Sequence, residues 1–155
     1  MRSLLVILAF AVVSANAAVV PIQYRHRTLA NGLEVYSIED HTTPTVAIEV
    51  TYRVGSKDDP PHRSGFAHLF EHLMFKSTAH MKAEMMDRLT EDVGGENNAH
   101  TGEDTTIYWE EIPSNYLRPL LWAEGERMSS LDVDEANFKS EREVVKEEFR
   151  TSVLG

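Results

Sequence analysis

Hydrophobic alternation and helical spacing divide this chain into short extended segments followed by longer amphipathic ones. Residues 24–29 and 33–38 have β character and flank Ala30-Asn31-Gly32. Asn-Gly at that place predicts a hairpin, because both residues tolerate positive φ. Over residues 45–54, Val46, Ile48, Val50, Tyr52 and Val54 fall on one side, which predicts a half-buried strand. Residues 55–64 hold Asp58, Asp59, Pro60 and Pro61 and predict a loop. Ser64 stands where it can cap the helix that follows. Phe66, Ala67, Leu69, Phe70, Leu73, Met74 and Phe75 make that helix apolar nearly all round, the pattern of a buried helix.

Further along, residues 81–93 predict a second helix with Met85, Met86 and Leu89 as its apolar stripe, ended by Gly94-Gly95. Residues 97–101 and 105–112 read as extended, and Pro113 stops the second of them. A third helix is predicted over 114–131, with Leu117, Leu120, Leu121 and Met128 as core candidates. Asp134 opens a fourth, Glu-rich helix reaching about residue 150. No internal repeat interrupts this order. Mixed elements with a tightly joined opening pair predict an α+β fold, a mainly antiparallel sheet with helices packed on one face.

The first residues change the picture. Arg2 precedes an unbroken apolar run over residues 4–13, and Ala15-Asn16-Ala17 supplies a small-x-small cleavage pattern. Residues 1–17 are therefore expected to be a secretory signal, which makes the chain exported, periplasmic or secreted. The run is too short for a membrane span. The 155 residues suit one domain of ordinary size and carry a formal charge of −10. Loss of Arg2 with the signal leaves 14 basic against 25 acidic residues, or −11. Such a balance argues against nucleic-acid binding, which needs basic residues to neutralise phosphates. It suits either basic peptide substrates or a solvated acidic face. With no cysteine in the chain, any metal must be held by His and carboxylates.

The candidate chemistry sits in His68-Leu69-Phe70-Glu71-His72. On a helix, His68 and His72 share one face roughly 6 Å apart, with Glu71 on the same side. Two imidazoles so placed can grip one ion, in the inverted order of the better-known zinc-peptidase helix. Burying these groups unpaired costs about 1–3 kcal/mol each, which coordination to a dication offsets. A chance match arises in roughly a few per cent of chains this rich in His and Glu, so the surroundings must carry the rest.

A catalytic zinc takes three protein ligands and a water. The fourth helix offers Glu141, Glu143, Glu147 and Glu148. At about 100° per residue, Phe138, Val145 and Phe149 define the expected buried stripe. Glu147 points away from it, while Glu148 and Glu141 share one edge, about 80° and 60° to one side. Glu148 is then the better ligand candidate and Glu141 its neighbour. On geometry alone, a reading of both as surface carboxylates in a charged helix stands beside this one.

Several stretches together resemble the pitrilysin or insulinase-type zinc metallopeptidases. They are the hairpin around Asn31-Gly32, the run Val54-Gly55-Ser56-Lys57-Asp58, and the segment from Ser64 through His68-Leu69-Phe70-Glu71-His72 to Lys76. Gly94-Gly95-Glu96-Asn97-Asn98-Ala99-His100-Thr101 with Thr106 and Tyr108 follows, and then Glu141-Arg142-Glu143-Val144-Val145-Lys146-Glu147-Glu148. The resemblance implies one Zn2+ per chain held by His68, His72 and Glu148, with Glu71 as catalytic base and Glu141 as an accessory acid. It also implies that Asn98 and Ala99 lie on an edge strand beside the cleft, where a peptide or unfolded protein substrate adds as a strand. The chain departs from the family pattern at Ser77, Asp59 and His100. Family members are longer, so residues 18–155 are expected to be the N-terminal, metal-binding part of a truncated peptidase domain. A second homologous domain or subunit would close the chamber.

The expected activity is zinc-dependent endopeptidase chemistry. Two other readings compete with it. One is a non-catalytic peptide-binding or partner subunit, or an inactive fragment that needs a second domain. The other is a purely structural zinc site, disfavoured because such sites close with four ligands and prefer Cys.

Overall fold

The computed structural model describes residues 21–153. The expected signal at residues 1–17 lies outside them. Residues up to Thr42 and those from Thr43 onward form two separate units.

The first unit is the expected hairpin. Strand β1 (Arg25–Thr28) pairs antiparallel with β2 (Glu34–Ser37), Arg25 opposite Ser37 and Thr28 opposite Glu34. Gly32 takes φ of +86°, which suits a residue without Cβ. Its amide donates to the Leu29 carbonyl, and the Asn31 side chain accepts from the Leu33 amide. His26 stacks on Tyr36 with ring centroids 4.4 Å apart.

The second unit carries a three-stranded antiparallel sheet in the order β3 (Thr45–Tyr52), β5 (Thr106–Pro113), β4 (Glu96–Thr101). The pleat separates two faces. Thr106, Tyr108, Glu110 and Ile112 are buried, while Trp109 and Glu111 are exposed. Opposite them, Val46 pairs with Ile112, Ile48 with Glu110 and Val50 with Tyr108, all on the covered face. Helices α1 (Phe66–Leu73) and α2 (Met85–Glu91) lie on β4, α3 (Leu117–Ser129) packs on α2, and α4 (Glu135–Val153) packs on α1. The core joins Met81, Met86, Ile112, Leu120 and Ala123, with Val46, Ile48, Phe75 and Leu89 against it. The α+β expectation, helices on one face of an antiparallel sheet, is met.

Several local expectations are corrected. Ser64 does not cap α1. Gly65 occupies the cap with φ of +88°, and the Asp59 carboxylate accepts from the Gly65 and Ala67 amides at 2.7 and 2.8 Å. A loop carboxylate thus satisfies the orphan amides that the local serine leaves free. Helix α2 begins at Met85, because Thr78 diverts the preceding turn: its hydroxyl accepts from the His80 and Met81 amides. Glu84 then turns with φ of +64°. In α3, Leu121 and Met128 are exposed, and the buried stripe is Leu120, Ala123, Glu124 and Arg127. In α4, Phe149 is 52% exposed and Glu141 only 6%. The buried face is rotated toward the carboxylates. Asp134 does cap this helix, accepting from the Asn137 amide at 2.6 Å.

Candidate metal centre

The i, i+4 spacing on α1 brings the His68 and His72 rings to 4.9 Å between centroids. Their Nε2 atoms are 3.3 Å apart. Helix α4 crosses α1 so that Glu148 Oε2 lies 3.5 Å from each of these nitrogens. Donor atoms from His68, His72 and Glu148 all fall within 4.8 Å of one another. Two imidazole lone pairs at such a separation repel unless a proton or a cation lies between them. Tetrahedral donors about 2.0–2.1 Å from zinc stand roughly 3.3 Å apart, so the triangle suits that ion. The donor set itself, two imidazoles and a carboxylate, is one that zinc accepts.

Around the triangle, the remaining ring nitrogen of His72 is engaged. Glu141 Oε2 lies 3.3 Å from His72 Nδ1, and its other oxygen, Oε1, lies 3.0 Å from Lys76 Nζ. A carboxylate on Nδ1–H leaves the Nε2 lone pair free for a cation. Glu71 is buried to 9% exposure and donates no atom to the triangle. The Thr101 hydroxyl of β4 donates to its Oε2. Thr106 stands behind Thr101, with its hydroxyl 3.4 Å away and donating to the Val54 carbonyl.

His68, His72 and Glu148, with Glu71, Glu141 and Lys76, open onto a cleft of about 400 Å³, which Asp87, Asn97 and Asn98 also line. Strand β4 forms the edge of its sheet among the described residues. Asn98 therefore lies both on an edge strand and on the cleft. Ala99 is its neighbour on that strand, and its amide donates to Asn98 Oδ1 at 2.8 Å.

A charged cluster lies beneath, on the covered face of the sheet. Arg127 Nη2 donates to Glu110 Oε1 at 2.8 Å and to Glu124, all three side chains being within the interior. The guanidinium stands 4.3 Å from the Tyr108 ring and 5.6 Å from that of Phe75. Burial, then the hydrogen bond with Glu124, pushes Glu110 up to about 8. Burial also raises the Tyr108 phenol.

The structure thus brings together His68, His72, Glu148, Glu71 and Glu141, and sets Asn98 on the same cleft. Residue-by-residue reading missed the roles of Thr101, Lys76 and Arg127. Thr101 and Lys76 stood inside recognisable motifs, but nothing local named their partners.

A helix bearing an inverted His-x-x-Glu-His motif, laid on an antiparallel sheet and met by a distal glutamate, defines a class of metal-site domain. This chain belongs to the insulinase family (peptidase family M16), whose model matches residues 34–153. It is 40% identical over 124 residues to the zinc protease PqqE of Helicobacter pylori, covering 79% of this chain and 28% of that protein. It is 31% identical over 100 residues to human insulin-degrading enzyme, covering 64% of this chain and 10% of that enzyme. A crystal structure of a protease from Helicobacter pylori superimposes with a TM-score of 0.80 at 38% identity, over 83% of this chain and 31% of that one. Pitrilysin shares the fold with a TM-score of 0.79. The chain spans less than a third of the length of each of these relatives.

Proposed function

We propose that this chain carries the metal centre of a zinc-dependent metalloendopeptidase acting on peptides or unfolded proteins. The observation that supports it best is the donor triangle, with sides of 3.3, 3.5 and 3.5 Å between His68, His72 and Glu148. In this reading those three residues hold one Zn2+. Bound there, zinc would supply Lewis-acid polarisation of the scissile carbonyl and would acidify a water. Glu71 takes the proton of the attacking water and hands it to the leaving amine. Thr101 fixes one Glu71 oxygen and leaves the other for the water. Glu141 orients His72 through Nδ1. Asn98 and Ala99 receive the substrate backbone as an added strand along β4, and that pairing displaces the Asn98 side chain from the Ala99 amide.

Export belongs to the same proposal, with residues 1–17 removed. N-terminal sequencing of the secreted form should begin at Ala18, and retention of Met1 would remove the signal from the account.

The length of the relatives favours a second reading, in which the chain is a metal-binding part that needs a second homologous domain or subunit to close the cleft. Zinc titration followed by hydrolysis of a quenched peptide separates the two. Uptake of one equivalent is expected, with a rise in melting temperature of about 5–11 °C at a hundredfold excess over Kd and its reversal by chelator. Failure to bind zinc would end both readings. Binding without turnover would select the second.

A further inference from the structure

We propose that Lys76 is a positioning residue of this centre, acting on His72 through Glu141. The inference rests on the zinc reading above. Lys76 lies in the turn that continues α1: its amide donates to the Leu73 carbonyl, and that of Phe75 to the His72 carbonyl. The turn is thus tied to the helix that carries both histidines. From there Lys76 Nζ reaches Glu141 Oε1 on α4 at 3.0 Å, with the lysine side chain 21% and the glutamate 8% exposed. The other Glu141 oxygen lies 3.3 Å from His72 Nδ1.

Two anchors fix the plane of a carboxylate where one leaves it free to rotate. With Oε1 held, Oε2 stays on the ring nitrogen, and the opposite nitrogen of His72 stays aimed at His68 and Glu148. The cleft sharpens the need for such an anchor. Glu71, Asp87 and Glu148 also face it, and their charges push an unanchored Glu141 away. An opposite effect exists, since the ammonium draws negative charge from the carboxylate and weakens its pull on Nδ1–H. Lys76 remains a fifth exposed, which screens that withdrawal. Groups that orient a metal-binding histidine typically change affinity 10–100-fold, so orientation dominates.

The test uses the whole chain and two readouts. Zinc affinity, by chelator competition, should fall about tenfold in Lys76→Met and return to within about threefold of the parent in Lys76→Arg. Because the effect runs through Glu141, Lys76→Met should add almost nothing in a Glu141→Gln background. In the metal-free protein, 15N NMR of the His72 ring should show a single Nδ1–H tautomer in the parent and a mixture in Lys76→Met. Thermal melts identify any variant that fails to fold, and Lys76→Gln then replaces Lys76→Met. Unchanged affinity, additive effects or an unchanged tautomer would overturn the proposal. A parent that binds no zinc would sink the metal reading, and the tautomer measurement would still decide the role of Lys76.

Discussion

Glu71→Gln is expected to slow hydrolysis of an unstructured peptide by roughly 10²–10⁴-fold while zinc uptake stays at one equivalent. The separation follows from where Glu71 stands. It shares α1 with His68 and His72, yet none of the three donor atoms belongs to it. Its Oε2 accepts from the Thr101 hydroxyl. Glutamine has nearly the same shape and keeps a carbonyl oxygen for Thr101, so the helix and the triangle should persist. What it loses is the capacity to accept a proton from water. Fluorogenic peptide turnover and chelator competition, run on parent and variant together, check the two halves. Equal rates would remove Glu71 as the base, and lost zinc would make it a ligand. A parent that binds zinc without turnover leaves the base unused and points to the need for a closing domain.

Legibility from sequence tracked the range of each interaction. His68 and His72 were readable because a four-residue spacing fixes their shared face. The hairpin at Asn31-Gly32 and the alternating strand β3 were local in the same sense. Glu148 emerged from a helical wheel drawn around Phe138, Val145 and Phe149, although Phe149 is half exposed. The wheel still selected the edge that the structure turns to α1, where Glu148 meets His68 and His72 and Glu141 meets His72. Core positions held by charged residues hid the rest. Leu121 and Met128 looked like core because their buried neighbours on α3, Glu124 and Arg127, looked like surface. Contacts across the chain had no local sign at all: Thr101 meets Glu71 thirty residues back, and Asp59 caps a helix from beyond two prolines.

Arg127→Met should cost about 3–5 kcal/mol of stability, the largest loss expected from a single substitution outside the metal centre. Arg127 is 1% exposed, and its guanidinium serves two carboxylates, Glu110 and Glu124, that are buried with it. Its removal leaves a buried charge without its partner, which costs far more than the lost contacts. Burial, and then the neighbouring Glu124, holds a proton on Glu110 up to about 8 against the opposing pull of Arg127. The sign of the pH dependence follows. The folded chain holds that proton, and the unfolded chain releases it once pH passes the ordinary carboxylate range. Stability from this group is therefore complete below that range, falls as pH rises toward 8, and levels off beyond. Glu110→Gln keeps an acceptor for Arg127 Nη2 and cannot ionise, so it should flatten the fall. Denaturant unfolding at pH 5 and pH 8 measures both effects. An Arg127→Met variant as stable as the parent, or a parent slope that survives in Glu110→Gln, would contradict this account. The cluster bears on the metal centre through packing. Arg127 lies over Tyr108 and Phe75, whose rings are 5.8 Å apart, and Phe75 stands two residues past the end of the helix that carries His68, Glu71 and His72. Loosening the cluster should therefore disturb the seat of that helix before it disturbs the exposed face of the sheet.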